Sequence, residues 1–278
     1  MLSLSRLVRI SRPRFWIYLL GPYLLGCIGV ALSAPLDDVV VLVGLGLYFT
    51  LPANLLLYGI NDIFDYETDK LNPKKQEYET LVFPQERGQL GLWIMLLQVP
   101  WLIGSLFLPW SVILALLLLI ALALGYSVPP IRTKTKPFLD SWTNVLYIIP
   151  GIVSYFVISD RPLSFPLVIA AGLWAMAMHI YSAIPDIQAD KAAYLNTTAT
   201  FLGKNGSLTL CTLLYLASAL IAAQYLGQIM YVLGLVYLWM MRLSYQAKDE
   251  QAFLDLYKWF PRINTIVGFV LFLVIIFR

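Results

Sequence analysis

Charge is what this chain is short of. Only 13% of its 278 residues are Asp, Glu, Lys or Arg, while 60% are hydrophobic and the mean hydropathy is +0.76. Water-soluble domains carry about 25% charged residues, so a soluble fold is excluded and much of the surface must face lipid. Histidine is reduced to one residue, His179, and cysteine to two, Cys27 and Cys211, both inside apolar runs. Neither cysteine has metal-ligand neighbours or a paired spacing, which removes a disulfide framework and a Cys/His metal centre from consideration. Both cysteines read as small buried hydrophobes. Nucleic acid is not an expected partner. The N-terminal apolar segment is too long for a cleavable signal, carries Pro22 near its middle and runs into a second apolar segment. Nor is it a Ser-rich transit peptide. The length suits a single membrane domain over residues 1–278 with no room for a separate soluble one.

What is present is a series of apolar segments near the ~20 residues that a spanning helix needs. Nine are predicted: Phe15–Ser33, Val39–Ile60, Leu90–Leu108, Trp110–Tyr126, Trp142–Ile158, Phe165–Ile184, Leu208–Tyr225, Ile229–Leu243 and Ile263–Phe277. The expected class is therefore an all-α membrane protein, because an open strand would leave backbone groups unpaired in lipid. Basic residues then orient the bundle. With these nine spans, 17 of the 19 Lys and Arg residues fall on one side, and only Arg161 and Arg278 on the other. The positive-inside rule makes the crowded side cytoplasmic, with the N-terminus inside and the C-terminus outside, in a prokaryotic cytoplasmic membrane. A weak internal repeat accompanies this. Pro13 to Pro137 and Asp62 to Asp186 are both 124 residues apart. The expected architecture is two pseudo-repeated four-helix halves plus a ninth helix, around a central cavity open to the cytoplasm.

Against this background two acidic clusters stand out, Asn61-Asp62-Ile63-Phe64-Asp65-Tyr66-Glu67-Thr68-Asp69 and Asp186-Ile187-Gln188-Ala189-Asp190. Both lie at the cytoplasmic ends of predicted helices, where a carboxylate is a functional signal by default. If the first helix runs on regularly, Asn54, Tyr58, Asn61, Asp65 and Asp69 share one face and Asp62 reaches the site from its flank. His179, Ala183, Asp186 and Asp190 share a face of the other. Packing of the halves would bring the two stripes together. Hard carboxylate oxygens of this kind suit Mg²⁺, whose shell is usually completed by water and substrate phosphate. Bound cations would let acidic side chains hold a diphosphate and stabilise it as a leaving group. A solvated acidic loop is the plainer alternative, and Glu67, Glu77, Glu79 and Glu86 read that way.

Lys74, Lys75, Arg132, Lys134 and Lys191 are candidate phosphate contacts, against simple membrane-surface anchoring. Arg132 and Lys134 are favoured because they follow the stiff run Tyr126-Ser127-Val128-Pro129-Pro130. His179 is either a packed polar residue or a proton acceptor late in a reaction. Most of Trp16, Tyr18, Tyr23, Trp93, Trp142, Tyr147, Tyr155, Phe156, Trp174 and Tyr181 read as interfacial belt or packing; a few of these rings would line the cavity and face a cation.

The pattern Asn61-Asp62-x-x-Asp65-x-x-x-Asp69 resembles the first signature of the UbiA-type intramembrane prenyltransferases, and Asp186-x-x-x-Asp190 resembles the second. The chain is most similar to the lycopene elongase (carotenoid) branch. That likeness rests on Ser11-Arg12-Pro13-Arg14-Phe15-Trp16, Asn72-Pro73-Lys74-Lys75, Lys136-Pro137-Phe138-Leu139-Asp140-Ser141, His179-Ile180-Tyr181-Ser182-Ala183-Ile184-Pro185-Asp186 and Thr197-Thr198-Ala199-Thr200. Two departures are visible. Ala193-Tyr194-Leu195 stands where the family often has a Gly, and Glu79-Thr80-Leu81-Val82-Phe83 lacks the Arg-Pro pattern of quinone-forming relatives. The resemblance implies Mg²⁺-dependent transfer of a prenyl group from an allylic diphosphate, dimethylallyl diphosphate in this branch, to a lipophilic acceptor such as lycopene. It implies metal and catalytic roles for Asp62, Asp65, Asp69, Asp186 and Asp190, and substrate contacts at Asn54, Asn61, Tyr126, Arg132, Lys134, His179 and Lys191. Partners are then the two substrates and membrane lipid. Rival readings are a prenyltransferase with an aromatic acceptor, as in quinone or chlorophyll synthesis, and a secondary transporter. Transport is disfavoured because the acids lie at one membrane face rather than near the midplane.

Overall fold

The structure, a computed structural model, describes residues 2–28, 35–70, 79–159 and 161–277. Every regular element among the described residues is helical, with no strand. Seven stretches are long and apolar enough to cross a bilayer: Leu36–Phe64, Pro84–Ser105, Trp110–Ser127, Leu139–Ile158, Phe165–Ala192, Thr198–Leu226 and Glu250–Ile276. These meet seven of the nine predicted segments. The first predicted segment is helical over Ile17–Ile28, and its remainder lies outside the described residues. The eighth is the helix Ile229–Gln246, whose last turn and a half carries Arg242, Ser244, Tyr245 and Gln246 and dilutes its hydropathy.

The chain divides into two compact units. One comprises Met1–Thr133 with Leu146–Arg161, the other Lys134–Val145 with Pro162–Arg278. The boundary differs from a simple split between a fourth and a fifth predicted helix, since most of the fifth segment belongs to the first unit. Packing explains this. Helix Ile149–Ile158 lies so close to helix Ile17–Ile28 that a Cβ on Gly26 would sit 2.1 Å from Ser154 Oγ and 2.4 Å from the Gly151 carbonyl oxygen. Small residues allow such contact, which is how helices associate where lipid supplies no hydrophobic drive. Ser154 Oγ seals the crossing by donating to the Tyr23 carbonyl at 2.8 Å.

Within the first unit the long span Leu36–Phe64 is not one regular helix. An α-helix ends at Tyr48, a second begins at Leu51, and Leu55–Gly59 is π-helical before α-helix resumes at Ile60. The break leaves backbone carbonyls at Phe49 and Thr50, and Asn54 Nδ2 donates to both, at 2.9 and 2.7 Å. Buried Gln98 serves the same segment, donating to the Pro52 carbonyl at 3.0 Å and accepting from Tyr48 Oη at 2.9 Å. In lipid such satisfaction is obligatory.

The second unit packs helix Phe165–Ala183 against Thr198–Leu226, and the latter against Ile229–Gln246. Tyr215 and Tyr237 stack with ring centroids 4.4 Å apart, and Tyr237 Oη donates to Asn264 Oδ1 at 2.9 Å. The long helix starts on the Thr197 cap, whose hydroxyl accepts from the Thr200 N–H at 3.2 Å. It kinks at Gly203 (φ 67°) and ends at Gly227 (φ 87°), two left-handed positions that glycine takes without strain.

A buried acid–arginine network as the candidate active site

The first acidic motif follows the π-helical turn, and this changes its geometry. A π turn carries one residue more than an α turn, so the faces before and after it fall out of step. The helix then stops at Phe64, and Asp65 leaves helical geometry (φ −109°, ψ 9°) before the short helix Tyr66–Asp69. The single stripe from Asn54 to Asp69 predicted for a regular helix is therefore not continuous. Asp62, placed on the flank by the regular count, is 1% exposed, Asp65 is 2% exposed, and Asp69 is half-buried.

Both buried carboxylates meet arginines. Arg12 Nη2 donates to Asp62 Oδ1 at 2.9 Å, and Arg132 Nη2 donates to Asp65 Oδ1 at 3.0 Å. Arg12 also lies 3.3 Å from Glu79, which accepts from Arg14 at 2.8 Å. Burial opposes the charge on Arg12, but Asp62 and Glu79, with Tyr58 and Asp69 behind them, hold the guanidinium pKa above its ordinary value. Both pairing arginines adopt positive φ, 52° at Arg12 and 36° at Arg132. Arg12, Arg14 and Glu79, with Arg9, Pro13 and Thr80, line a depression of about 200 Å³.

An aromatic cluster adjoins the arginines. Arg12 stacks over the Tyr58 ring at 4.6 Å, Tyr58 and Tyr147 hydroxyls are 3.2 Å apart, and Phe15 and Tyr18 complete the group. Of the aromatics named from the sequence, Tyr18 and Tyr147 are thus the ones placed beside the acidic motif. Asn54 spends its amide on the helix break, and Asn61 Nδ2 reaches Ser127 Oγ at 3.4 Å. Tyr126 is half-buried near the end of helix Trp110–Ser127.

The expectation that Glu79 and Glu86 are solvated is corrected. Glu79 is only 11% exposed and bridges Arg12 and Arg14, while Glu86 takes a two-pronged contact from Arg6 at 2.5 and 2.6 Å. Unlike those two, Glu67 is exposed and pairs only with neighbouring Lys70. Asn72-Pro73-Lys74-Lys75 and Glu77, read above as a family run, candidate phosphate contacts and a solvated acid, lie outside the described residues.

In the second unit Asp186 closes the 3-10 turn Ile184–Asp186 and Asp190 sits one turn on in the helix Ile187–Ala192, both half-buried. Lys134 is half-buried in the short turn Thr133–Thr135, and Lys191 is exposed. His179 faces a carboxylate that the motif search passed over. Its Nε2 lies 3.9 Å from Oδ2 of Asp140, a residue 1% exposed. Asp140 accepts from the N–H groups of Ser141 and Thr198, both at 2.7 Å, and from the Thr198 hydroxyl. Arg12, Glu79, Asp140 and Thr198 were quoted in sequence runs but not as site residues. The available signal was a charge inside or beside an apolar run.

The donor set suits a hard divalent ion. Among the described residues no three His, Cys, Asp or Glu side chains gather into a ligand group. Mg²⁺ does not require one, since it usually takes one or two carboxylates and keeps water or phosphate oxygens in the remaining positions. Asp62 and Asp65 offer such oxygens, and the arginines beside them are suited to phosphate.

Comparison with known proteins agrees with this chemistry. The model of the UbiA prenyltransferase family matches residues 19–266. The chain is 40% identical to a lycopene elongase/hydratase of Haloarcula japonica, covering 98% of this chain and 91% of that one. It is 40% identical to a lycopene elongase/hydratase of Halobacterium salinarum, over 94% and 93%. Among solved structures it is similar to a UbiA homolog from Archaeoglobus fulgidus bound to DMAPP and Mg²⁺, with TM-score 0.70, 21% identity and coverage of 95% and 99%. A UbiA homolog from Aeropyrum pernix K1 gives TM-score 0.69 at 17% identity, over 93% and 98%. At those identities the structural likeness speaks for the fold alone.

Proposed function

The chain belongs to the UbiA prenyltransferase family and is an intramembrane prenyltransferase, and from that premise we propose that it transfers a dimethylallyl group from dimethylallyl diphosphate to a carotenoid acceptor such as lycopene. The observation that carries the reading is the pair of buried aspartates, Asp62 and Asp65, each matched to an arginine at the end of an apolar span. Carboxylates so buried are costly and need a task.

In this reading Asp62, Asp65, Asp69, Asp186 and Asp190 hold Mg²⁺. When bound, the metal neutralises the departing diphosphate. Arg132 and Lys134, joined by Arg12, present cations to the phosphate oxygens. Asn61 and Tyr126 hydrogen-bond nearby, while Lys191 contributes from the exposed end of its helix. Phe15, Tyr18, Tyr58 and Tyr147 offer ring faces to an allylic cation and exclude water that would quench it. An acceptor double bond arriving from lipid attacks that cation. The names of the two lycopene elongase/hydratase relatives, together with cover above nine-tenths of each chain, support the carotenoid acceptor. The same reading takes residues 1–278 as a single domain of nine spans, in two repeated halves plus a ninth helix, with a cavity open to the cytoplasm. The N-terminus is inside, as the distribution of Lys and Arg supports.

The test uses purified protein in lipid nanodiscs with isotope-labelled dimethylallyl diphosphate and lycopene. Label is expected in products heavier by one or two five-carbon units, only with Mg²⁺ present. An Asp65→Ala, Asp186→Ala double variant with full activity would remove the assignment. Label in an added aromatic acceptor but never in lycopene would move the chain to the aromatic branch.

A further inference from the structure

We propose that His179 takes the proton that ends the reaction and that Asp140 is the residue that positions it. The proposal rests on the prenyl-transfer reading above.

Asp140 is clamped from three sides. The Ser141 and Thr198 N–H groups each donate at 2.7 Å, and the Thr198 hydroxyl donates to Oδ1 while itself accepting from the Phe138 N–H at 2.6 Å. A purely structural account of this cluster would be a cap on the helix that begins at Thr198. That helix already has its cap, because Thr197 and Thr200 satisfy each other's N–H groups. A neutral side chain would complete the rest. What a buried carboxylate adds is charge, and the side chain it faces is the only histidine in the chain.

The depth of His179 favours chemistry on carbon. It precedes Asp186 by seven residues on one continuous span, Phe165–Ala192. That is about two helical turns, or ~11 Å, further from the membrane face. If Asp186 lies at the level of the phosphates, His179 lies at the level of the reacting carbons. The imidazole is 16% exposed, so it is sheltered but reachable. Its Nε2 is turned to Asp140, and a carboxylate on that side favours the proton on Nε2, which gives the acceptor role to Nδ1. At 3.9 Å the contact is longer than a hydrogen bond, and the carboxylate orients the ring through its field.

The prenyl C–O bond breaks and diphosphate departs with the electron pair. The acceptor double bond then joins the prenyl carbon, leaving a cationic carbon on the acceptor chain. His179 Nδ1 takes a proton from the neighbouring C–H, whose electron pair closes a new double bond. Where water adds instead, its oxygen bonds the cationic carbon and its surplus proton goes to the same nitrogen. The imidazolium afterwards passes its proton to diphosphate or water.

Three variants test this: Asp140→Asn, His179→Gln and, as a structural control away from the pair, Ser218→Ala, which removes a buried hydroxyl that donates to the Ala170 carbonyl at 2.7 Å. Diphosphate release and finished carotenoid are measured together in nanodiscs. In His179→Gln, carotenoid formed per diphosphate released should fall on the order of 100-fold. In Asp140→Asn it should fall on the order of 10-fold, while the Michaelis constant for dimethylallyl diphosphate is unchanged. Ser218→Ala should lower thermal stability and leave the ratio intact. With one histidine, ¹⁵N-histidine labelling gives a single-site spectrum; Asp140→Asn should shift it from the Nε2–H form toward mixed tautomers, and Ser218→Ala should not. A wild-type product ratio in Asp140→Asn and His179→Gln would overturn the proposal. So would equal losses in Asp140→Asn and Ser218→Ala, since the loss in Asp140→Asn would then reflect only a weakened fold. If wild-type protein releases no diphosphate and makes no prenylated carotenoid, the prenyl-transfer reading itself fails. In that event an unshifted spectrum in Asp140→Asn would overturn the pairing as well.

Discussion

The pair Arg12–Asp62 offers the sharpest energetic test. Asp62 is 1% exposed and Arg12 15%, with 2.9 Å between nitrogen and oxygen. Removing one partner of a buried pair costs about 3–5 kcal/mol because the other charge is stranded. Arg12→Met takes the guanidinium away from a carboxylate that is 1% exposed and should cost an amount in that range. Asp62→Leu leaves Arg12 with Glu79 at 3.3 Å, so a smaller loss of about 2–3 kcal/mol is expected. The double variant removes both charges and fills the space with apolar atoms, a replacement that is often close to neutral in other proteins. Equilibrium unfolding in one detergent should therefore show the double variant at least about 2 kcal/mol more stable than the sum of the single losses. Additivity within about 0.5 kcal/mol would mean that the two groups do not interact and that the site reading built on them is wrong.

Gly26→Val should unfold or severely weaken the first unit, because its Cβ meets Ser154 Oγ at 2.1 Å and the Gly151 carbonyl at 2.4 Å. Adding Ser154→Gly should not rescue thermal stability, since the carbonyl remains. Chelation of divalent ions should abolish labelled prenyl transfer, and Mg²⁺ should restore it; activity that persists in chelator would refute the metal role of the aspartates. A cysteine placed at exposed Glu67, in a chain lacking Cys27 and Cys211, should react with impermeant reagent only from the cytoplasmic face.

The spans and the two acidic clusters were legible because each depends on residue type alone: long apolar runs cross lipid, and carboxylates at their ends are too costly to be incidental. Which carboxylates are buried was not legible. That depends on the break at Phe49 and Thr50 and on the π turn Leu55–Gly59, and neither has a periodic signature in the sequence. Regular counting consequently put Asp62 on the flank and Asn54 on the stripe, whereas the structure buries Asp62 and turns the Asn54 amide to the helix break. Arg12 and Glu79 were obscured for another reason. Arg12 sits in a basic N-terminal run that the positive-inside rule explains without any site, and Glu79 sits in an apparently open loop. Only long-range folding, across a separation of 67 positions, makes them partners. Asp140 and Thr198 are 58 residues apart and were hidden in the same way.

Backbone strain at the arginines connects stability to the site. Arg12 and Arg132 belong to different segments, yet both take left-handed conformations and both end on the same acidic motif. A non-glycine residue in that region loses roughly 1–2 kcal/mol. Such strain survives only where the surroundings over-determine it. Arg12 is followed by Pro13, so its own torsions must set the direction in which the side chain leaves the turn. Glycine at position 12 would relax the backbone but remove the guanidinium from Asp62. The gain of roughly 1–2 kcal/mol is smaller than the loss of about 3–5 kcal/mol expected when a buried carboxylate loses its arginine, so Arg12→Gly should destabilise the protein. It should nevertheless do less harm than Arg12→Met, by about the strain released. A glycine variant no more stable than the methionine one would show that the left-handed turn carries no strain, and that the ion pair alone sets the geometry.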